Sequence, residues 1–528
     1  MESIATIIVL LAIVTALAEI TDRIHVPYPI LLVLSGIGIG LIPGLPSIGL
    51  NPEVVFLIFL PPILYSAAWN TSWPEFKAAK RPIILLAIGC VIFTTCAVAW
   101  VAHMFIPGLG WQEAFVLGAI ISPPDAIAAT ASTKGLSVPK RIITVLEGES
   151  LVNDATGLIA YRFAVAAVVT GSFSLVEAGM QFVFVAIAGI FLGLVMARIF
   201  RWIHQITPDN PTTDTTLTFL TPFIVYLVAE SIHVSGVLAV VTCGLYLRWH
   251  SAKVFDHQTR LQAYSTWNTA IFVLTGLVFV LIGLQLPGIL ESLDGVSFMT
   301  LLKYGGTVSA AVIIGRIIWV YPGAYIPRLS KKVREREPEV NVKLVTIVAW
   351  SGMRGVVSLA AALAIPLVIE GGEPFPNRNL IIFLTFAVIF STLVLQGLTL
   401  RPLIKLFSIV ADSKAHEMEL RARVAVASAL IEHIEENYSL SLTDEGLNLI
   451  KTKYEIRIQR IRKGEDRAKI TEAVINQLQV IQQELLNKER ELIMRLRSQG
   501  AITEDALRKM EYELDLEESR LILEKGMT

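Results

Sequence analysis

Hydrophobic segments follow one another from Ile4 to Val410, separated by short polar stretches. Most are about 15–25 residues long, near the length that crosses a bilayer as a helix. From Ala411 onward the chain becomes charged and rich in helix-forming residues. The pattern predicts an all-α polytopic membrane protein, with a transmembrane domain over residues 1–410 and a helical cytosolic tail over residues 411–528.

The apolar segments divide into thirteen predicted transmembrane helices, and the shortest division lies around residues 231–236. An odd number of spans places the two ends of the membrane domain on opposite sides of the bilayer. The predicted spans are 4–22, 28–42, 53–68, 82–104, 112–131, 142–169, 175–200, 217–231, 234–249, 264–287, 299–325, 343–368 and 379–407.

Basic residues alternate between the loops, and this alternation predicts the orientation. One set of loops carries nearly all of them, whereas the other set holds little beyond Lys303 and Arg378. Because positively charged loops stay in the cytoplasm, we expect the N-terminus outside and the tail inside a plasma (inner) membrane. Members of the basic set include Arg23, Lys77, Lys80, Arg81, Lys134, Lys140, Arg141, Arg198, Arg201, Arg248, Lys253, Arg260, Arg328, Lys331, Lys332, Arg334 and Arg336.

Composition supports this class, because 54% of the residues are hydrophobic and only 17% are charged. Soluble domains usually carry about 25% charged residues. The three cysteines lie in apolar segments and show neither a disulfide framework nor a metal spacing. The sequence shows no nucleotide loop and no nucleic-acid signature, so we expect no cofactor and no nucleic-acid partner.

Two predicted spans contain residues that interrupt helices. In the fifth span, Pro123 and Pro124 each remove a backbone donor and clash with the preceding turn, and Asp125 follows them. Such non-helical backbone is tolerated at membrane depth where it is buried in protein or lines a cavity.

The second interruption lies in the twelfth span, where Gly352, Arg354 and Gly355 stand in an apolar run. It is seven spans from the first, and an odd offset inverts the topology. Paired broken helices in inverted repeats are typical of secondary transporters. Asp125 and Arg354 would then neutralise the dipoles of opposing half-helices. The alternative is that proline and glycine only kink these helices for packing.

The richest polar stretch is residues 147–154, at the start of the sixth span. A charge near mid-bilayer costs roughly 2.5–3.5 kcal/mol on insertion scales, so a carboxylate there suggests an ion or proton site. Ser150 and Asp154 share a helix face, and Asn153 lies one position round. Their oxygens suit a monovalent metal cation. Because burial disfavours a charged carboxylate, proton and cation would compete for Asp154. The alternative is a structural hydrogen bond from Asp154 to a neighbouring span.

Glu149 lies five residues before Asp154 and points elsewhere, so it needs a partner. Arg316 is an intramembrane arginine, and an unpaired charge there would be strongly destabilising. We therefore expect a structural Glu149–Arg316 pair, with Arg162 as a less favoured partner. Glu147 lies nearer the cytoplasmic end, where solvent would reach it.

These motifs resemble those of the monovalent cation:proton antiporters that include bacterial NhaP proteins and animal and plant sodium/proton exchangers. The resemblance implies thirteen spans, a core domain that moves against a dimerisation domain, and a homodimer. It implies that Asp154 carries the ion beside Asn153 and Ser150, with Asp125 and Arg354 at the crossing helices. The motifs are Leu60-Pro61-Pro62-Ile63, the Asp125 break, Glu147-Gly148-Glu149-Ser150-Leu151-Val152-Asn153-Asp154, Gly315-Arg316 and Gly352-Met353-Arg354-Gly355.

The Asn153–Asp154 form resembles the electroneutral branch of that family, because one carboxylate offers one exchangeable charge. Two positions depart from the family pattern. Ser66 stands where many relatives have an acid, and Pro124 stands where many have threonine. Both departures leave the preference between Na⁺ and K⁺ open.

The sequence therefore predicts a secondary antiporter, not an enzyme, which exchanges Na⁺, with Li⁺ or K⁺ as further substrates, for H⁺. A K⁺-preferring exchanger is the first alternative. A cation channel gated by the tail is the second, and a membrane receptor or an intramembrane hydrolase is disfavoured because no matching constellation occurs in the spans.

Overall fold

The computed structural model describes residues 2–24, 27–42, 56–133, 136, 138–171, 174–207, 210–293, 295–336, 339–369, 372–409 and 413–438, and individual positions between 451 and 518. The chain divides into two compact units, Met1–Ala411 and Asp412–Thr528. Within the described residues, the secondary structure is helical apart from one isolated bridge between Val368 and Pro374. The predicted all-α class is confirmed.

The first unit consists of helices joined by short loops. One of them, Lys80–Phe105, contains a π-helical turn at Leu85–Cys90, and a 3₁₀ turn at Ile326–Leu329 follows another. The helices are Glu2–Ile24, Tyr28–Gly40, Leu60–Asn70, Trp73–Ala78, Lys80–Phe105, Trp111–Ile121, Ala126–Thr133, Lys140–Thr170, Leu175–Ile206, Pro211–Ser231, Gly236–Val254, His257–Leu284, Leu286–Glu291, Phe298–Tyr325, Lys331–Arg336, Val342–Trp350, Val356–Leu363 and Arg378–Leu406.

Polar residues in the loops fix where several of these helices begin. The Ser174 hydroxyl accepts a hydrogen bond from the Glu177 amide at 3.4 Å. Asp256 accepts one from the Thr259 amide at 2.8 Å. Such capping side chains satisfy backbone donors that have no partner within the helix. They explain how long apolar helices can follow one another with so few residues between them.

Among the described residues, seven helices are long and apolar enough to cross a membrane, and three shorter apolar helices accompany them. This confirms a multi-span membrane fold, whereas the count of thirteen stays a prediction. The seven are Lys80–Phe105, Trp111–Thr133, Lys140–Thr170, Val176–Ile206, Gln258–Glu291, Phe298–Leu329 and Arg378–Leu406.

Two helices are interrupted where the sequence places its breakers. The first broken helix comprises Trp111–Ile121 and Ala126–Thr133, and the second comprises Val342–Trp350 and Val356–Leu363. The two breaks meet, because the Asp125 amide donates to the Met353 carbonyl at 2.7 Å. Backbone groups freed by each interruption are thus partly satisfied by the other.

The helix Lys140–Thr170, called the site helix below, lies between two packed groups of apolar side chains. Val145 and Leu146 belong to the larger group, which includes side chains of both broken helices. Leu151 and Ala155 belong to a smaller group with side chains of other helices. The site helix therefore contacts both groups of apolar side chains. Helices that supply the smaller group include Leu60–Asn70, Leu175–Ile206, Pro211–Ser231 and Gly236–Val254.

The second unit begins with the helix Ser413–Tyr438. Most of the tail beyond this helix lies outside the described residues, so the predicted boundary at residue 411 and the predicted helical tail stay predictions.

Candidate ion-binding site

A cavity of about 240 Å³ lies where the site helix adjoins both broken helices. Its wall combines apolar side chains with a small number of carboxylate, hydroxyl and amide groups, an arrangement typical of small-ligand sites. The polar members of its lining are Ser66, Asn70, Asp125, Thr130, Glu147, Ser150, Asp154 and Ser358.

Asp154 is the most deeply buried carboxylate that lacks a partner in this cavity. Its exposed fraction is 7%, and within the described part of the chain it makes no hydrogen bond or ion pair. A buried charge is costly unless it is paired or hydrogen-bonded. The group can therefore be satisfied by a proton or by a cation that enters the cavity.

Asn153 and Ser150 hold the first break in place. The Asn153 side-chain amide donates to the Pro124 carbonyl at 2.8 Å, and the Ala126 amide donates to the Ser150 hydroxyl at 3.4 Å. Ser150 also lines the cavity, whereas Asn153 faces the break. The Asn153 carbonyl oxygen is buried and has no partner among the described residues. Both residues position the backbone beside Asp154.

Asp125 lies at the N-terminal ends of two half-helices. Its carboxylate accepts a hydrogen bond from the Ile127 amide at 2.8 Å, in the first turn of the second half of its own broken helix. It also lies against Gly355, where a Cβ atom would stand 2.6 Å from the Asp125 carboxyl carbon. Because N-terminal helix ends carry partial positive charge, a carboxylate is stabilised there. Only a residue without a side chain fits at position 355.

Arg354 lies at the opposite kind of helix end. It is 1% exposed, and its guanidinium donates to the carbonyls of Ile121 at 2.8 Å and Ser122 at 3.2 Å, and to that of Gly352. Its backbone amide donates to the Thr392 hydroxyl at 3.1 Å. The arginine thus satisfies the C-terminal carbonyls of the first half of the opposing broken helix.

The structure brings Glu149 and Arg316 together as a buried, two-pronged ion pair. The two hydrogen bonds measure 2.5 and 2.8 Å, and both residues are 1% exposed. Arg316 also donates to the Val348 carbonyl at 3.1 and 3.3 Å, near the end of the first half of the second broken helix. The pair satisfies two charges and one helix end at once.

Five polar residues of the lining were not predicted as site residues from the sequence: Ser66, Asn70, Thr130, Glu147 and Ser358. Glu147 is partly buried and lines the cavity, so besides its expected access to solvent it shares a cavity with Asp154. Its spacing of seven residues from Asp154 places it on the same helix face, and that spacing was the available signal. Ser66 and Asn70 belong to the same lining, and Ser66 is one of the departures noted above.

Arg162 forms a separate ion pair with Glu230 at 2.7 Å, with side chains 51% and 31% exposed. It is therefore not the partner of Glu149. This pair connects the far end of the site helix to the helix Pro211–Ser231.

A comparison with known families decides the identity of the membrane unit. Residues 8–406 match the family described as sodium/hydrogen exchanger, transmembrane. The chain belongs to this exchanger family. As a sodium/hydrogen exchanger it is a multi-pass membrane transporter of monovalent cations and protons, and not an enzyme.

Two relatives show how far the similarity extends. The sodium, potassium, lithium and rubidium/H⁺ antiporter of Bacillus pumilus is 36% identical over 84% of this exchanger and 68% of its own length. An uncharacterized Na⁺/H⁺ exchanger of Mycobacterium bovis is 35% identical over 98% of this exchanger and 96% of its own length. The second match therefore extends through nearly all of the tail.

A solved structure supports the fold. The sodium proton antiporter MjNhaP1 of Methanocaldococcus jannaschii superposes with a TM-score of 0.61 and 20% identity. The match covers 76% of this exchanger and 98% of that protein. The membrane unit of the exchanger thus has the overall helical arrangement of a known antiporter.

Proposed function

We propose that Asp154 binds a monovalent cation and a proton alternately, and that this alternation is the exchange reaction. The observation that carries the proposal is a carboxylate, buried and without a partner among the described residues, in a cavity beside two broken helices. Ser150 shares that helix face, and Asp125 shares the cavity. A hydroxyl and carboxylates are the hard oxygen ligands that small cations prefer.

Exchange follows from the cost of an empty site. Asp154 without an ion would present a bare charge to a low-dielectric interior during the change of access. A proton or a cation removes that charge, so the loaded forms cross and the empty form does not. Because one carboxylate offers one exchangeable negative charge, we propose an electroneutral exchange of one cation for one proton.

Na⁺ is the proposed cation, with Li⁺ and K⁺ as further substrates. The relative from Bacillus pumilus is named for sodium, potassium, lithium and rubidium, which supports a broad site. Ser66 offers a hydroxyl in the cavity, and Pro124 can offer only its backbone carbonyl, which Asn153 already contacts. A lining with few fixed charges favours weak discrimination between cations, and a K⁺ preference remains the alternative.

The membrane setting is also part of the proposal. We place the exchanger in the plasma (inner) membrane as a homodimer, with its N-terminus outside and its tail in the cytoplasm, as the basic loops indicate. In that orientation the Lys140 end of the site helix, where Glu147 lies, faces the cytoplasm.

The decisive experiment measures cation-driven proton movement in proteoliposomes, with Na⁺, Li⁺ and K⁺ titrated at several clamped voltages. Wild type should exchange at a rate independent of voltage, and Asp154→Asn should lose at least 100-fold in rate. Glu113→Gln removes a carboxylate outside the cavity lining and should leave the rate unchanged. As pH rises, the apparent KM for the cation should fall, because protons leave the shared carboxylate.

The outcome also separates the alternatives. Exchange retained in Asp154→Asn would remove this residue as the ion carrier. A lower KM for K⁺ than for Na⁺ would establish the K⁺-preferring exchanger. Current without proton movement would favour the channel.

A further inference from the structure

Glu147 is one of three carboxylates that line the cavity, with Asp125 and Asp154, and no other part of the proposed exchange uses its charge. It precedes Asp154 by seven residues on the site helix. At 100° per residue the two side chains are about 20° apart around the helix, and they are separated by roughly 10 Å along its axis. Both line the same cavity. A cation that enters from the Lys140 end meets Glu147 before it meets Asp154.

The Glu147 carboxylate is available for a ligand, whereas the neighbouring Glu75 already has partners. Within the described residues it has no hydrogen bond or ion pair. Glu75 repels it, but Glu75 is itself held by Lys140 at 2.9 Å and by the Thr144 hydroxyl at 3.0 Å. The charge of Glu75 is therefore partly offset by the nearby Lys140, whereas Glu147 has no partner among the described residues.

Another helix supplies neutral oxygen atoms to the same cavity. Ser66 and Asn70 lie one turn apart on the helix Leu60–Asn70 and both line the cavity. The Asn70 amide nitrogen donates to the Ser66 carbonyl at 3.0 Å. Because the Asn70 amide nitrogen is used in that bond, the Asn70 side-chain oxygen is the group that can bind a cation. The outer part of the cavity thus combines one carboxylate with neutral oxygen donors.

We propose that Glu147 forms a second, transient site for a monovalent cation between the cytoplasmic mouth of the cavity and Asp154. The inference rests on the proposed function for its orientation and its cation. The outer site concentrates cations near the mouth and passes them along one helix face to the buried, unpartnered Asp154. Glu147 lies about two turns nearer the Lys140 end of the site helix than Asp154, so in this proposal it receives cations from that end and leaves their exchange to Asp154. The Glu147 site therefore captures cations, and it does so only from the cytoplasmic side.

The test compares the two faces of the membrane. Everted and right-side-out vesicles from a strain without its own antiporters would carry wild type, Glu147→Gln, Glu147→Asp or Glu113→Gln. For Glu147→Gln we expect the KM for Na⁺ added at the cytoplasmic face to rise on the order of tenfold, from loss of one charge about 10 Å away at intermediate dielectric. The KM at the other face and the maximal rate should stay within twofold. Glu147→Asp should recover most of the affinity, and Glu113→Gln should match wild type.

Three results of the vesicle experiment with Glu147→Gln would overturn the proposal. The first is an unchanged KM for Na⁺ at the cytoplasmic face, and the second is an equal rise in KM at both faces. The third is complete loss of exchange in a variant that still purifies as a folded species. Calorimetric titration of Na⁺ in detergent separates this proposal from the role of Asp154. Asp154→Asn should retain a weak site, and Asp154→Asn combined with Glu147→Gln should lose it. Absence of the weak site in Asp154→Asn would reject the second site even if Asp154 is the carrier.

Discussion

Glu149 and Asp154 are buried carboxylates on one helix, five residues apart, and they differ in whether another side chain binds them. Glu149 is 1% exposed and bound by both prongs of Arg316. Asp154 is 7% exposed and has no partner among the described residues. Five residues turn the helix by about 140°, so the two side chains face different surroundings. The comparison separates a buried carboxylate with a fixed counter-ion from a buried carboxylate that has none among the described residues.

The largest effect on stability should come from breaking the fixed pair. Arg316→Met leaves Glu149 buried without a partner and should destabilise the exchanger by about 3–5 kcal/mol. Thermal unfolding in detergent would show a strongly lowered midpoint. Asp154→Asn is the matched comparison, because it removes a buried charge and breaks no pair, so its midpoint should equal or exceed that of wild type.

A second substitution tests whether the loss comes from the orphaned charge. Arg316→Met combined with Glu149→Gln should recover part of the stability that Arg316→Met loses, because residues in direct contact are coupled. If Arg316→Met and Asp154→Asn unfold at the same temperature, the distinction between the two carboxylates is wrong.

An intermediate effect is expected at the contact between Asp125 and Gly355. Gly355→Ala forces a methyl group into the space of the Asp125 carboxyl group, and overpacking typically costs about 1–3 kcal/mol. It should also slow exchange, since Asp125 shares the cavity with Asp154. Gly306→Ala is the control, because no atom lies within 4 Å of the added carbon. Exchange at the wild-type rate in Gly355→Ala would show that the exact position of Asp125 does not matter.

The smallest effect should come from the Arg162–Glu230 pair. Both side chains are partly exposed, and pairs of this kind contribute about 0–1 kcal/mol. Arg162→Gln should therefore unfold within a few degrees of wild type, and its exchange rate should stay within twofold. A loss comparable to that of Arg316→Met would mean that this pair also counts as a fixed internal charge.

Much of this arrangement could be read from single residues. The breaks were predictable because Pro123 and Pro124 are adjacent, and Gly352 and Gly355 are close together, and each set has a charged residue beside it in an apolar run. A partner for Glu149 was predictable because a lone intramembrane arginine needs an acid. Both arguments use only the free-energy cost of leaving a charge or a backbone polar group without a partner in an apolar segment, and the sequence shows where such groups lie.

Other features depended on how the chain packs. The bond from Arg316 to the Val348 carbonyl requires the register of a broken helix against its neighbour, which no local pattern encodes. Asn153 was placed beside the ion, but its amide is used to hold the Pro124 carbonyl. Glu147 was not predicted to share a cavity with Asp154, because its position near a span end does not tell which residues of other helices, such as Ser66 and Asn70, line the same space.

The bonds at the two breaks have a mechanical consequence. Asn153 ties the site helix to the first broken helix through the Pro124 carbonyl. Glu149 ties the site helix to Arg316 of the helix Phe298–Tyr325, and Arg316 in turn binds the Val348 carbonyl of the second broken helix. Sliding any one of these four elements past the others would break bonds made by buried charges or amides. Leu151 and Ala155, on another side of the site helix, make apolar contacts that carry no directional bonds. A movement of the site helix along its apolar side would therefore break the fewest directional bonds if these four helices moved together as one rigid body.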